Sequence, residues 1–122
     1  MSILVVDDDR VVLDSCRRVL QSEGYTVVLT SSATEAAARL QEQAFELLVV
    51  DVIMPEYDGI YLIGTVRKTQ PNLPILVMSG YPTPETISSG LSAGATHFLA
   101  KPFTPDELLG AVRRALKVKD QA

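Results

Sequence analysis

The sequence contains a single cysteine, Cys16, and a single histidine, His97. One thiol excludes an internal disulfide, and one thiol with one imidazole cannot supply the ligands of a structural zinc site. Cys16 falls in step with Val12 and Val19 on an apolar helical stripe, so we expect a buried thiol. His97 lies near the end of a predicted strand, where we expect it to face outward or to form part of a docking surface.

Long apolar runs and an excess of positive charge are also missing. No run approaches the roughly 20 residues of a membrane-spanning helix, and residues 1–6 are too few before Asp7 to form a secretory leader. We therefore expect a cytoplasmic protein with no membrane contact. The net charge of -4 and the lack of a Lys/Arg stripe argue against direct binding of nucleic acid. The basic cluster at 113–119 falls where a last helix should end, and cations there complement the helix dipole.

The sequence does contain the apolar content and the alternation of one α/β domain. Its 122 residues, 47% of them hydrophobic, are enough for one core, so we expect a single domain over 1–122. Short β-branched runs predict five strands at 3–6, 25–29, 47–50, 74–78 and 96–99. Helical periodicity follows them, and 117–122 reads as a polar tail. Apolar strands alternating with helices are typical of a doubly wound parallel sheet with helices on both faces.

Helix start signals support this interpretation. Ser32 with Glu35 and Thr104 with Glu107 match the capping box, and Thr83 precedes a proline at the favoured first helical position. We expect Asp9 to cap the first helix, although a role at a metal site is an alternative.

Polar side chains stand where the predicted strands end. Strand one is followed by Asp7, Asp8 and Asp9, strand three by Asp51, strand four by Ser79, and strand five by Lys101. In open α/β sheets the ligand crevice lies beyond the carboxyl ends of the strands, so these groups should converge at one edge. Each alone is an ordinary cap or surface residue. The combination is what predicts a functional site.

The predicted cluster calls for a cation. Asp7, Asp8 and Asp51 would repel one another unless a positive ion neutralised them. Carboxylates suit Mg²⁺, or Mn²⁺ in its place, which keeps waters for substrate phosphate oxygens. One carboxylate can then attack a phosphoryl donor while an ammonium group offsets the charge of the transferring group. Asp51 is the expected nucleophile and Lys101 the expected stabilising cation.

Four segments give the sequence a family resemblance over nearly its whole length. They are ILVVDDD at 3–9, LLVVDVIMPEYDG at 47–59, ILVMSG at 75–80 and FLAKPF at 98–103. Together they resemble the response-regulator receiver family of two-component signalling, within the superfamily of chemotaxis regulators. The resemblance implies a flavodoxin-like (βα)5 fold with a parallel sheet of strand order 2-1-3-4-5. It also implies a signalling domain rather than an enzyme.

The resemblance assigns a role to each matching residue. Asp51 resembles the phosphoacceptor, and Asp7 and Asp8 resemble the acidic pair that holds Mg²⁺, with Asp8 the expected direct ligand. The backbone carbonyl of Ile53 would complete the protein's share of the metal ligands. Ser79 corresponds to the hydroxyl that bonds a phosphoryl oxygen. Lys101 corresponds to the lysine that pairs with the phosphoaspartate, and the family usually has a cis peptide at Lys101-Pro102.

Some positions depart from the commonest family pattern. Phe98 occupies the switch-aromatic position, where many relatives have tyrosine, so its packing can report the switch but a phenolic hydrogen bond cannot. Ile53 and Tyr81 occupy the positions that the resemblance associates with access of water to the phosphate. Bulky side chains there are expected to slow self-hydrolysis.

The resemblance also implies partners. The phosphoryl group would come from a sensor histidine kinase or a histidine phosphotransfer protein. Phosphorylation would draw Ser79 toward the phosphate and turn Phe98, remodelling the face of the fourth helix, fifth strand and fifth helix. That face would control an output domain or a downstream protein, and a phosphorylation-dependent dimer is compatible with it.

Three other functions fit parts of the pattern. A phosphatase of the haloacid-dehalogenase type would use Asp7 as its nucleophile, but that family needs a later acidic pair, and this reading leaves Asp51 unexplained. A flavin carrier on the same fold is disfavoured because three carboxylates after strand one would repel the flavin phosphate. A receiver that acts only as a binding module without phosphorylation is disfavoured by the complete set of expected site residues.

Overall fold

The computed structural model describes residues 1–52, 59–80 and 83–121. Within these residues five strands alternate with five helices. The strands are β1 (Ser2–Val6), β2 (Thr26–Thr30), β3 (Leu47–Asp51), β4 (Ile75–Ser79) and β5 (His97–Ala100). The helices are α1 (Arg10–Ser22), α2 (Ala33–Glu42), α3 (Gly59–Thr69), α4 (Pro84–Ala93) and α5 (Pro105–Gln121).

The strands form one parallel sheet in the order β2-β1-β3-β4-β5. The predicted flavodoxin-like fold and strand order are therefore confirmed. Three predicted strands begin one residue later than expected, and the backbone gives the reason for two of them. The Tyr25 amide donates to the carbonyl of Leu20 at the end of α1, and Pro74 has no amide proton to give to a ladder.

Side chains of successive strand residues alternate between two apolar cores, one on each face of the sheet. One core packs Ile3, Val49 and neighbouring strand residues against α1 and α5. The other packs Leu4, Val50 and their neighbours against α2 and α3. Burial of both faces explains why the strands read as continuous apolar runs rather than as an alternating pattern.

The predicted helix caps are present in the structure. Asp9 caps α1, with its carboxylate accepting from the Val11 amide at 2.9 Å, as predicted. Thr104 and Glu107 exchange both bonds of a capping box, at 3.1 and 2.9 Å. Ser32 accepts from the Glu35 amide at 3.1 Å, while the Glu35 carboxylate accepts from the Ser31 amide rather than from that of Ser32.

Helix α5 is longer than the sequence pattern indicates. It continues to Gln121, into the segment read as a polar tail. Residues 111–121 contain neither glycine nor proline, so nothing in the local sequence ends the helix earlier. In the part of the chain that the structure describes, no helix has both the length and the apolarity required to cross a bilayer.

Cys16 is buried in the core between the sheet and helices α1 and α5, as predicted. Burial raises the pKa of its thiol to about 12, and the charge of Asp7 adds to the shift. The side chain therefore acts as a small apolar group of the core.

Candidate functional site

The polar strand ends meet at the carboxyl edge of the sheet, around the side chain of Lys101. Its ammonium nitrogen lies 2.5 Å from Asp7 Oδ2 and 2.9 Å from Asp51 Oδ2. These residues are 94 and 50 positions away from the lysine in the chain. A single cation thus joins the ends of β1, β3 and β5.

Strand register explains this convergence. Val6 pairs with Val50, which places Asp7 beside Asp51, the last residue of β3. On the other side of β3, Asp51 pairs with Met78, so that Ser79 is the next residue along β4. The Lys101 amide donates to the carbonyl of Ser79 at 2.8 Å, which holds the end of β5 against β4.

Asp7 is fully buried and both of its carboxylate oxygens accept hydrogen bonds. Oδ1 accepts from the Asp9 amide at 2.9 Å, and Oδ2 accepts from Lys101. Burial raises the pKa of Asp7 above its ordinary value, and the hydrogen bonds from Lys101 and Asp9 offset this only in part. The negative charge of Asp7 therefore lowers the stability of the folded state.

Lys101 experiences opposing effects of a similar kind. Burial alone would lower its pKa, but the hydrogen bonds and charges of Asp7 and Asp51 outweigh burial, so the pKa of Lys101 is raised. The lysine is therefore a stable cation at neutral pH. It offsets carboxylate charge at a point where only 16% of its side chain is exposed.

Asp7, Asp8 and Asp51 form an oxygen cluster that could hold a metal ion. Each offers one oxygen, and the three oxygens lie within 4.8 Å of one another. Asp7 and Asp51 are buried, whereas Asp8 is exposed. Mg²⁺ binds oxygens at about 2.0–2.1 Å, so its ligands lie up to about 4.2 Å apart, and only a small contraction of the cluster is needed. The residues present therefore fit such an ion.

Other predicted site residues lie at different depths or outside the described residues. Ser79 is fully buried at the end of β4. Phe98 is half-buried and packs against the core that contains α2 and α3, as does Ala93 at the end of α4. The Lys101-Pro102 peptide bond is cis. Ile53 and Tyr81 fall outside the described residues, as does any role of the Ile53 carbonyl.

His97 is half-buried rather than facing fully outward. Its Nδ1 atom is buried and has no hydrogen-bond partner among the described residues. Burial lowers the pKa of His97, and the nearby charge of Arg114 on α5 lowers it further. The neutral imidazole is therefore the favoured form at this position.

Two residues of α3 that the sequence analysis did not select make close contacts with neighbouring elements. Gly59 begins α3 against the backbone of Asp51, and Arg67 at the far end of α3 bonds to the end of α4. The only sequence signal for Gly59 was its place within the family-like segment 47–59. No local pattern marks the bond from Arg67 to Gly94, because that bond is set by tertiary packing.

Comparisons with known proteins agree with this arrangement. The family model of the response regulator receiver domain matches residues 3–113. The response regulator MprA of Mycobacterium ulcerans is 43% identical over 115 residues, which cover 94% of this chain and 50% of that protein. The chain therefore spans about half the length of such curated relatives.

Solved structures show the same fold along almost the whole chain. A CheY-like receiver domain from Methanospirillum hungatei superposes with a TM-score of 0.93 at 32% identity, covering 98% of this chain and 96% of that one. The chemotaxis protein CheY4 of Vibrio cholerae gives a TM-score of 0.90 at 33% identity, covering 93% of this chain and 97% of that one. With the family model matching nearly all of the sequence, the chain belongs to the response regulator receiver family of two-component signalling.

Proposed function

We propose that residues 1–122 act as one receiver domain in which Asp51 accepts a phosphoryl group from a phosphohistidine. The donor would be a sensor histidine kinase or a histidine phosphotransfer protein, as membership of the family implies. The observation that carries the proposal is the contact of Lys101 with both Asp7 and Asp51 beside a cluster of three carboxylates. A cytoplasmic location remains a prediction that accompanies this function.

The proposed reaction is a displacement at phosphorus. An oxygen of Asp51 forms a bond to phosphorus while the bond from phosphorus to the donor imidazole nitrogen breaks. The electron pair stays on that nitrogen, which then takes up a proton. Lys101 lies 2.9 Å from Asp51 Oδ2 and can offset the charge of the transferring group. The only reactions that we propose for the domain are the transfer of the phosphoryl group to Asp51 and the later hydrolysis of the aspartyl phosphate.

We further propose that Asp7, Asp8, Asp51 and the carbonyl of Ile53 form the site for Mg²⁺ or Mn²⁺. When bound, the ion would neutralise phosphoryl oxygens and orient the group for in-line transfer. Asp8 is the better direct ligand, since its carboxylate is exposed while both oxygens of Asp7 already accept bonds from the protein. Asp7 would then act mainly by orienting Lys101 and the start of the loop that carries Asp8.

The same hydrogen bonds argue against the phosphatase alternative. A nucleophile at Asp7 would need an oxygen directed at substrate, but the side chain is fully buried with both oxygens engaged. Asp51 keeps 6% of its surface exposed. The comparisons also favour the receiver assignment over the phosphatase.

Phosphorylation would act on the surface formed by α4, β5 and α5, here called the α4-β5-α5 face. Ser79 ends β4 just before the connection to α4, and Phe98 contacts the same core as the end of α4. We propose that Ser79 bonds the phosphoryl group and that Phe98 repacks in response. The altered face would contact an output domain or a downstream protein, or pair with a second copy as a phosphorylation-dependent dimer.

Labelling with a small phosphodonor tests the phosphoacceptor. Acetyl phosphate with Mg²⁺ should add one phosphoryl group to the wild-type chain, and peptide mapping should locate it on Asp51. Asp51→Asn should abolish the label, whereas Asp9→Asn should retain it, because Asp9 caps α1 and lies outside the carboxylate cluster. A label mapped to Asp7, or one that persists in Asp51→Asn, would contradict the proposal.

Two further measurements test the switch and the phosphoryl lifetime. Beryllofluoride with Mg²⁺ should shift the NMR resonances of Ser79 and Phe98, and unchanged spectra there would rule out the proposed coupling.

Replacing Tyr81 with alanine should shorten the lifetime of the aspartyl phosphate if bulk at that position excludes water. An unchanged lifetime would remove Tyr81 from that role.

A further inference from the structure

Gly59, the first residue of α3, is in unusually close contact with the residue that carries the proposed phosphoacceptor carboxylate. Gly59 is buried, and a Cβ atom built on it would lie 2.1 Å from the carbonyl oxygen of Asp51. The same atom would lie 2.9 Å from Val52 Cα and 3.0 Å from the carbonyl carbon of Asp51. All three neighbours are backbone atoms, which cannot rotate away as a side chain can. Only glycine fits at this position without a shift of the main chain.

The peptide group between Asp51 and Val52 is also held from the opposite direction. The Val52 amide donates to the carbonyl of Met78 on β4 at 3.2 Å. Asp51 is thereby fixed by the β4 ladder at its backbone, by Lys101 at its carboxylate, and by the start of α3 at its carbonyl group. Displacing any one of these supports would change where the carboxylate lies relative to the lysine.

We propose that Gly59 is a positioning residue for phosphoryl transfer, setting the location of the Asp51 peptide group by allowing the backbone of α3 to approach it directly. This inference rests on the proposed function of Asp51. A methyl group at 59 would lie 2.1 Å from the carbonyl oxygen of Asp51, whereas ordinary contacts of a Cβ atom are 3.4–4 Å. Either α3 retreats or Asp51 moves, and a displacement of about 1 Å between reacting groups can slow a reaction by roughly 100-fold.

Gly64 supplies a matched control within the same helix. A Cβ atom built on Gly64 meets nothing within 4 Å. Neither Gly59 nor Gly64 has a positive φ, so alanine is compatible with the backbone angles of α3 at both positions. A difference between the two variants in reactivity therefore reports the contact with Asp51 and not the helix itself.

The test compares the phosphorylation rates of the full 122-residue chain and the two variants, using acetyl phosphate at saturating concentrations of donor and Mg²⁺. Rates are expressed per folded molecule, with the folded fraction taken from urea unfolding curves. Gly59→Ala should react about 10- to 100-fold more slowly than the wild type, and Gly64→Ala within about twofold of it. The amide resonances of Val52 and Lys101 should shift in Gly59→Ala, with those of the core around Cys16 unchanged.

Each other outcome decides against the inference. A wild-type rate per folded molecule in Gly59→Ala would overturn it, even if that variant unfolds at lower urea. A Gly59→Ala chain that fails to fold where Gly64→Ala folds would also overturn it, since the glycine would then serve folding and not position. Failure of the proposed function has a different signature, because the wild-type chain itself would then take no label on Asp51.

Discussion

Arg67 donates a hydrogen bond of 2.7 Å to the carbonyl oxygen of Gly94, joining the end of α3 to the end of α4. The same guanidinium group donates to the carbonyls of Gln70 at 3.0 Å and Pro71 at 2.9 Å, in the connection between α3 and β4. Gly94 is the C-cap of α4 and has φ of 125°. The guanidinium group of Arg67 thus donates to three backbone carbonyls. It holds the C-terminal end of α4, which is the end farther from Ser79 in sequence.

Replacing Arg67 with methionine should destabilise the domain. The change keeps much of the apolar stem but leaves three carbonyl groups without their charged donor. Because the guanidinium is only half-buried, water can replace part of the loss, and we expect a decrease of about 1–3 kcal/mol in the free energy of unfolding. Urea denaturation measures it. Lys68→Met is the control, since Lys68 is the exposed neighbour, and a loss of equal size there would refute the role given to Arg67.

Gly94 and Gly64 should respond oppositely to alanine. At Gly94 the φ of 125° disfavours any side chain, and a Cβ atom would lie 2.9 Å from Arg67 Nε, so we expect a loss of about 1–3 kcal/mol. At Gly64 the space is open within a helix, and alanine should add about 0.5–1 kcal/mol. Thermal unfolding of both variants measures these two effects. Equal changes in melting temperature would show that neither the φ angle of Gly94 nor its contact with Arg67 affects stability.

Asp7→Asn should stabilise the fold and weaken metal binding together. Burial raises the pKa of Asp7, so the ionised carboxylate costs more free energy in the folded state than in the unfolded chain, and an amide removes that cost. Lys101 keeps Asp51 as a partner. We expect a higher urea midpoint at pH 7 and Mg²⁺ affinity reduced about 10- to 100-fold, measured by calorimetry. Unchanged Mg²⁺ affinity would exclude Asp7 from the metal site.

Cys16 should make the domain sensitive to alkali. Its thiol has a pKa of about 12 in the fold against an ordinary value of 9.0, so above pH 9 the unfolded chain loses a proton that the folded chain keeps. The contribution of the protonated thiol to the free energy of unfolding is complete below pH 9. It falls by about 1.4 kcal/mol per pH unit between pH 9 and pH 12. Since other groups titrate there, the measurement is the difference in slope between wild type and Cys16→Ala. Parallel slopes would show that the thiol does not contribute.

The fold was predictable from sequence because its signals are local. Each strand is a short apolar run, and each predicted helix cap depends on residues within three positions of it, such as Thr104 and Glu107. The meeting of Asp51 with Lys101 was also predictable, since parallel strands present their carboxyl ends at one edge. The roles of Ile53 and Tyr81 stay predictions, because both residues lie outside the described parts of the chain.

Other features depend on distances that no sequence pattern carries. The bond from Arg67 to Gly94 spans 27 positions and requires the packed arrangement of two helices. The approach of Gly59 to Asp51 depends on where α3 begins, a boundary that periodicity locates only within a few residues. The half-buried position of His97 reflects the packing of α5 over an edge strand, and alternation along β5 alone could not specify it.

Phe98 and Leu99 are adjacent in β5 but enter different cores, on opposite faces of the sheet. Substitutions in separate cores share few contacts, so their energetic effects should nearly add. Stabilising substitutions in the core between the sheet and helices α1 and α5 should therefore leave the packing of Phe98 nearly unchanged. The thermal stability of the domain could then be raised without altering the repacking of Phe98 that we propose for the switch.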